Sequence, residues 1–197
     1  MFKKVLKWGV IVILGAYLLL VVYRGFVLRG EDKTSQEVAK IHATKLALND
    51  VLGKNLPPVP SNPDATIAGV DANKNGIRDD VELAIFKEYP NSARTRAVLL
   101  QYALSFQMEV HPLINAETVG AIANEQDRAF FCSAKLVNVG GGEEAVMAAV
   151  EKYGKFVSNL QFNTDSRRKA HKDFYNHLKS GTTGESYCDL ELSSFPD

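Results

Sequence analysis

The sequence predicts an all-α protein, with one N-terminal transmembrane helix followed by a helical-bundle domain that carries a single oxygen-rich loop. Three observations predict it. Residues Trp8 to Tyr23 form a run without charge. Beyond it, apolar residues recur at helical spacing and strand signals are weak. Between Asp71 and Glu82, residues that offer oxygen recur at regular intervals around a glycine.

The first element follows from the uncharged run. Arg24 ends it, and Phe26, Val27 and Leu28 extend the apolar character beyond. A span needs about 20 apolar residues, so the stretch is near the short limit. Lys7 and Arg24 can reach the headgroups along their own stems, while Trp8 and Tyr23 suit the two interfaces. A cleaved signal peptide is the competing reading. It requires an apolar run of ~7–15 residues followed by a small-x-small site. Arg24-Gly-Phe-Val-Leu-Arg is poor for cleavage, so residues 1–30 are expected to be an uncleaved signal anchor. Lys3, Lys4 and Lys7 outweigh Arg24 and Arg29, which keeps the N-terminus cytoplasmic. The expected location is the inner (cytoplasmic) membrane, single-pass, with residues 31–197 on the periplasmic or extracytoplasmic side.

Charge supports that division. The whole chain carries 23 basic and 23 acidic residues. The first thirty hold five of the bases and no acid, so the remainder has 18 bases against 23 acids, a net charge of −5. That argues against nucleic acid as a partner, since such proteins present a basic face. Cys132 and Cys188 are the two cysteines. Behind an export signal they read as one disulfide, with two buried free thiols as the alternative. There is no Cys-x-x-Cys, which argues against a redox enzyme.

The body then reads as a series of helices. Glu31 to Thr34 is a short polar linker, and Thr34 with Glu37 forms a capping box for a helix marked by Val38, Ile41, Leu48 and Leu52. Gly53 stops it. Pro57, Pro58, Pro60 and Pro63 make a stiff connector that delivers the chain to the loop. After the loop, Val81, Ala84 and Ile85 begin an exiting helix that Pro90 ends. Asn91 is expected to cap a central helix whose stripe is Leu99, Tyr102, Ala103, Phe106 and Val110, closed by Pro112. A further helix runs from about Ala116 to Val137 and carries Cys132. Gly140, Gly141 and Gly142 break the chain. Glu143 and Glu144 suit the next helix start, and Val146, Ala149, Val150, Tyr153 and Leu160 give its inner stripe. The last helix begins at Asn163 or Thr164 with Phe174 and Leu178 inward, and Cys188 pins the tail.

The loop is where the chemistry lies. Calcium is a hard cation that takes six to eight oxygens, and a twelve-residue loop wraps it when oxygens fall at positions 1, 3, 5, 7, 9 and 12. Asp71, Asn73 and Asn75 occupy positions 1, 3 and 5. Gly76 is at the sharp turn, Ile77 offers its carbonyl, Asp79 is at position 9, and Glu82 at position 12 can bind with both oxygens. At these residues the stretch resembles the EF-hand loop, and also the dockerin and thrombospondin type 3 loops. Exported bacterial proteins with a single Asp-x-Asn-x-Asn-Gly loop are similar in this respect. The likeness covers these twelve residues only.

Two departures matter. Position 8, where paired EF-hands carry an aliphatic residue that meets a second loop, is Arg78, and there is no second loop. The prolines also exclude a full helix on the incoming side. The expectation is therefore a loop plus an exiting helix. Three anionic ligands, partly offset by Lys74 and Arg78, imply a weak site of ~10⁻⁴ to 10⁻³ M. The competing reading is an Asn-Gly turn followed by an acidic helix start, with Asp79 and Asp80 serving the helix dipole.

Catalytic signals are weak. No Gly-x-Ser-x-Gly elbow, Walker loop or dinucleotide fingerprint is present. His171 and His177 stand six apart and do not share a helix face. Glu125 and Asp127 read as a solvated face, and Arg167-Arg168-Lys169 as a solvated basic run, with contact to anionic lipid as the alternative. The expected function is a membrane-anchored, non-enzymatic calcium-binding protein, with calcium structural. The alternative is an envelope protein–protein interaction module in which calcium is incidental. A hydrolase using His171 or His177 is a third reading.

Overall fold

The computed structural model describes residues 2–137, 142–178 and 188–195. The helices are α1 (Phe2–Ala43), α2 (Leu48–Val51), α3 (Asp79–Glu88), α4 (Ala93–Gln107), α5 (Ala116–Val137), α6 (Gly142–Gln161) and α7 (Asp165–His177). Short 3-10 turns follow at Met108–Val110 and Leu192–Ser194. No strand occurs among the described residues.

α1 is long and apolar enough to cross a membrane, with a mean hydropathy of 2.3 in its apolar window and none of that window buried. The expected polar linker does not interrupt it, because Glu31 to Thr34 are helical. No proline or glycine follows Gly30 before Gly53 to break the ladder there, and the next turns are held by the body. Ile41 and Val38 pack with Val119, Ile122 and Phe174. Thr34 does not cap a helix; its hydroxyl accepts from Asn115 Nδ2 at 3.1 Å. Glu37 instead meets His111 Nε2 at 3.0 Å, which holds its carboxyl below the usual range. About 20 Å of helix, from Glu31 to Ala43 at 1.5 Å per residue, thus packs on the body while continuing the apolar segment without a break.

The helix expected to run on to Leu52 breaks at Thr44–Ala47. The break is held by Leu46 N–H donating to Asp189 Oδ2 at 2.9 Å, a contact from the far end of the chain.

α4 is the centre of the bundle. Val98, Leu99, Leu100 and Ala103 are fully excluded from solvent, and the helix packs against α3, α5 and α6. Its cap is Ser92, one residue beyond Asn91, with Oγ accepting from Thr95 N–H at 3.2 Å. α5 begins at Ala116 as expected, with Asn115 Oδ1 receiving the N–H groups of Glu117 and Thr118. α6 starts at Gly142; Gly140 and Gly141 lie outside the described residues. α7 begins one residue past Thr164, whose hydroxyl accepts from Arg167 N–H.

Cys132 and Cys188 are at bonding distance, with Cα atoms 4.8 Å apart. The link ties the last described segment to α5. A closed loop of 56 residues of separation stabilises by about 4 kcal/mol in the chain-entropy account. Arg94 adds to it by donating to the carbonyls of Leu192 and Phe195.

Candidate metal centre

The loop sits between the Pro-rich connector and α3, and two buried arginines hold it to the bundle. Arg78 is fully buried. Its guanidinium forks onto Asp80 at 2.6 and 2.7 Å and donates to the carbonyls of Leu160 and Gln161, both at 3.0 Å. Those carbonyls are orphans of the C-terminal end of α6. Position 8 therefore docks on a helix end, where a paired EF-hand would meet a second loop. The charge of Arg78 is spent on Asp80, so it offsets the loop's acids less than its sequence position implies.

Arg167, expected on a solvated face, is 1% exposed. It pairs with Asp64 and donates to the carbonyls of Pro63, Thr66 and Ile67. Arg168 and Lys169 pair with Asp165 and Asp173 on their own helix. Arg167 thus fastens the connector to α7. Gly69 lets the chain pass over both arginines. It has φ +75°, and a Cβ there would stand 2.3 Å from Arg78 Cδ.

Within the loop, backbone donors orient the side-chain oxygens. Asp71 accepts from Asn75 N–H at 3.2 Å and from Gly76 N–H at 2.9 Å. Asn73 Oδ1 accepts from Asn75 N–H, and Asn75 Oδ1 from Ile77 N–H at 2.8 Å. Asp79 Oδ1 accepts from Ala72 N–H at 2.9 Å. Lys74 and Gly76 take left-handed conformations, φ 59° and 84°. Ile77 is fully buried and anchors the loop to the core formed with Val81 and Leu104.

Glu82 closes the loop from the first turn of α3 and is fully excluded from solvent. Its Oε2 receives the amides of Asn73 and Asn75 at 3.0 and 3.1 Å. Its Oε1 and the Oδ2 of Asp79 are buried and find no partner. Burial pushes the Glu82 carboxyl up to about 7 against the two amide bonds, and nearby Asp50 and Asp79 push the same way. Burial also raises Asp79, opposed by the Ala72 hydrogen bond. Unpaired buried carboxylate oxygens are rare and costly.

All six expected ligands thus lie in one loop, but the arrangement is not closed. Among the described residues, no group of three or more His, Cys, Asp or Glu side chains converges as a metal cluster. The Asn73 and Asn75 amides already donate to Glu82 Oε2. The donor set fits a hard cation: oxygens only, two of them unpartnered, and carboxylates that repel one another until a positive charge intervenes.

Two neighbours of the loop are not marked by its spacing. Asp50 is 4% exposed, accepts from Ala47 N–H and Asn55 Nδ2, and acts on Glu82 through space. The carbonyl of Asn55 takes the second amide hydrogen bond of Asn73 at 2.7 Å. Both lie just before the prolines, and their only local signal is the polar Asn-Asp and Lys-Asn pairs that end the preceding helix.

His42, His111 and His171 each meet a carboxylate distant in sequence, whereas His177, among the described residues, bonds only to a carbonyl of its own helix. His42 meets Glu125 at 3.0 Å and His171 Nδ1 meets buried Glu109 at 2.5 Å. Glu125, expected on a solvated face, is 6% exposed. Comparison of the chain with family models, with curated proteins and with solved structures returned no match.

Proposed function

We propose that this chain is a membrane-anchored, extracytoplasmic protein whose Asp71–Glu82 loop binds one calcium ion, and that the ion is structural. The observation that carries the reading is the pair of buried, unpartnered carboxylate oxygens, Asp79 Oδ2 and Glu82 Oε1, in a loop that has oxygens at all six ligand positions. Asp71, Asn73, Asn75, the carbonyl of Ile77, Asp79 and Glu82 would hold the ion. Its charge would replace the two amide donors at Glu82 and remove the cost of the desolvated carboxylates.

A structural role follows from what the loop joins. Its incoming side is the connector fastened by Arg167, and its outgoing side is α3, fastened by Arg78 to the end of α6. Linking position 1 to position 12 ties these together. The apolar α1 supports single-pass anchoring in the cytoplasmic membrane, and the excess of Lys3, Lys4 and Lys7 over Arg24 and Arg29 supports an N-terminus in the cytoplasm. The cysteine pair supports an oxidising compartment for the body.

The test is thermal unfolding of the full chain in lipid nanodiscs with calcium, with magnesium and with chelator. A ligand that binds only the folded state raises stability by RT ln(1 + [L]/Kd), about 1.4 kcal/mol at ten times Kd. The expected result is a rise with calcium, none with magnesium, and loss of the rise in Asp71→Ala/Glu82→Ala. An unchanged calcium response in that double variant overturns the assignment. No response at several millimolar favours the envelope interaction module, with the loop reduced to an acidic turn.

A further inference from the structure

Helices α4, α5, α6 and α7 border a cleft of about 880 Å³. That volume is within the range of small-molecule sites, ~300–1,000 Å³. Its walls are apolar and largely aromatic: Tyr102 and Phe106 from α4, Phe130 from α5, Met147 and Val150 from α6. Met147 is half exposed although it lines the cleft, so the cleft opens to solvent beside α6. No residue of the Asp71–Glu82 loop lines it.

Two side chains of α7 carry its polar chemistry. His171 and Tyr175 stand at i and i+4, so they share a helix face, and both line the cleft. His171 Nδ1 is turned inward to Glu109 at 2.5 Å. That carboxylate is 1% exposed and takes Gln126 Nε2 at 2.6 Å on its other oxygen. The His171 ring is further fixed by stacking on Phe162, with centroids 4.0 Å apart, and by the edge of Tyr175 at 4.9 Å. Nε2 lies on the opposite edge of the ring from the Glu109 contact. Neither Nε2 nor the Tyr175 hydroxyl bonds to any described residue.

Both groups act as donors. A buried carboxylate is costly unless its charge is offset, and burial pushes the Glu109 carboxyl up against its bonds from His171 and Gln126. Glu109 and His171 are therefore held net neutral as a pair. In that state Nε2 carries hydrogen wherever the shared proton sits. An imidazolium beside a carboxylate presents Nε2–H, and so does a neutral imidazole that accepts from a carboxylic acid. Burial above all, with Glu109 and Asp127, pushes the Tyr175 phenol up, so it keeps its proton. Two such donors on one helix face fit an oxygen that has two lone pairs and no hydrogen.

Charge does not favour an ionic ligand. Lys155 is accompanied by Glu144 and Glu151 on the same helix, all three exposed. A carboxylate would meet no excess of positive charge there and would lose its hydration in an apolar cleft. An ammonium group has no lone pair for either donor. We propose that this cleft binds a neutral aromatic carbonyl compound. Its ring would lie against Phe106, Phe130 and Met147, and its carbonyl oxygen would accept from His171 Nε2 and the Tyr175 hydroxyl.

The test uses the full chain in phosphatidylcholine nanodiscs, with empty nanodiscs as the blank for partition into lipid. Benzylacetone, butylbenzene and phenylbutylamine share a phenyl ring on a butyl chain and differ in carrying a carbonyl, no polar group or an ammonium. Binding is read by equilibrium dialysis. The ketone is expected to bind about tenfold tighter than the hydrocarbon, and the amine no tighter than the hydrocarbon. Tyr175→Phe keeps the ring at a half-exposed position. It should reduce the ketone preference at least about threefold and leave hydrocarbon binding unchanged. His171→Phe should do the same, with its fold checked by thermal melting; if it does not fold, Tyr175→Phe decides alone. Met147→Trp fills the cleft from an exposed position, so the melting temperature is retained while ketone binding is lost. Hydrocarbon or amine binding as tight as that of the ketone overturns the proposal. So does a ketone preference undiminished in Tyr175→Phe, ketone binding that survives Met147→Trp, or no ketone binding above the blank at millimolar concentration.

Discussion

Glu125 on α5 and Glu82 on α3 are both nearly excluded from solvent, 6% and 0% exposed, yet their surroundings treat them in opposite ways. Glu125 receives Lys45 Nζ at 2.6 Å, Arg128 at 2.5 Å and His42 at 3.0 Å. Burial alone would raise its carboxyl, but these hydrogen bonds more than offset it and hold the group below the usual range. Arg128 continues to Asp189 at 2.8 Å, and Asp189 receives Leu46 N–H. The region is complete in charge without any ligand. Glu82 has two neutral amides, an oxygen with no partner, and carboxylates for neighbours. The difference teaches that burial by itself does not mark a site. What marks it is burial of a charge whose compensation the protein does not supply.

The largest effect should come from breaking the complete region. Glu125→Leu leaves Lys45 and Arg128 facing each other without the shared anion, at a cost of about 3 kcal/mol, read from denaturant unfolding in chelator. The sign with pH follows from the lowered titration of Glu125. A folded-state value below the unfolded value, about 4.3, gives stability that is present above the unfolded value. It is lost as pH falls through the folded value. Wild type and Glu125→Leu should therefore differ at neutral pH and converge in acid. His42, Lys45 and Arg128 face this group, with Asp189 behind Arg128. A gap that persists unchanged to strongly acid pH would mean that the loss is one of packing.

The next effect concerns the turn that shapes the incomplete region. Gly76 has φ +84°, and a Cβ there would stand 2.8 Å from Leu104 Cδ1. Gly76→Ala should cost about 1–2 kcal/mol from the left-handed backbone and the contact. Asp71 accepts from Gly76 N–H, so the calcium-dependent rise in melting temperature should shrink as well. A full calcium response in a destabilised Gly76→Ala would separate the turn from the ligands.

Much of the fold was legible because helical spacing and loop chemistry are local. The all-α class, the apolar helix and the limits of α5 followed from patterns within a few residues of one another, and the cysteine pair, 56 positions apart, from the chain having two cysteines. What escaped was set by distant partners. Thr34 and Glu37 have the spacing of a capping box, but Asn115 and His111 take their side chains and α1 runs through. Asn91 and Ser92 are both good caps, and one residue of phase decides between them. Arg167 looks like part of a basic run, yet three carbonyls of the connector about 100 residues away draw it inside. Asp50 bears on Glu82 only because α2 folds back beside the loop. Glu109 and His171 are 62 positions apart, and no local spacing announces that pair.

The smallest effect is the sharpest test of the comparison. Glu82→Gln removes the buried charge and keeps the shape. In chelator the variant should be as stable as wild type or up to about 1 kcal/mol more so, since an uncompensated buried carboxylate is replaced by a neutral group that can still accept from Asn73 and Asn75. In calcium the order should reverse, because the variant has lost an anionic ligand and wild type gains the binding term. The same Glu→Gln change at position 125 should be destabilising in both conditions, since Lys45 and Arg128 lose their anion whether or not calcium is present. Measured by thermal unfolding, a crossing of the two curves at position 82 and none at 125 is the expected pattern. If Glu82→Gln destabilises the chain equally with and without calcium, the carboxylate is part of the folded core in its own right, and the loop needs no ion to account for it.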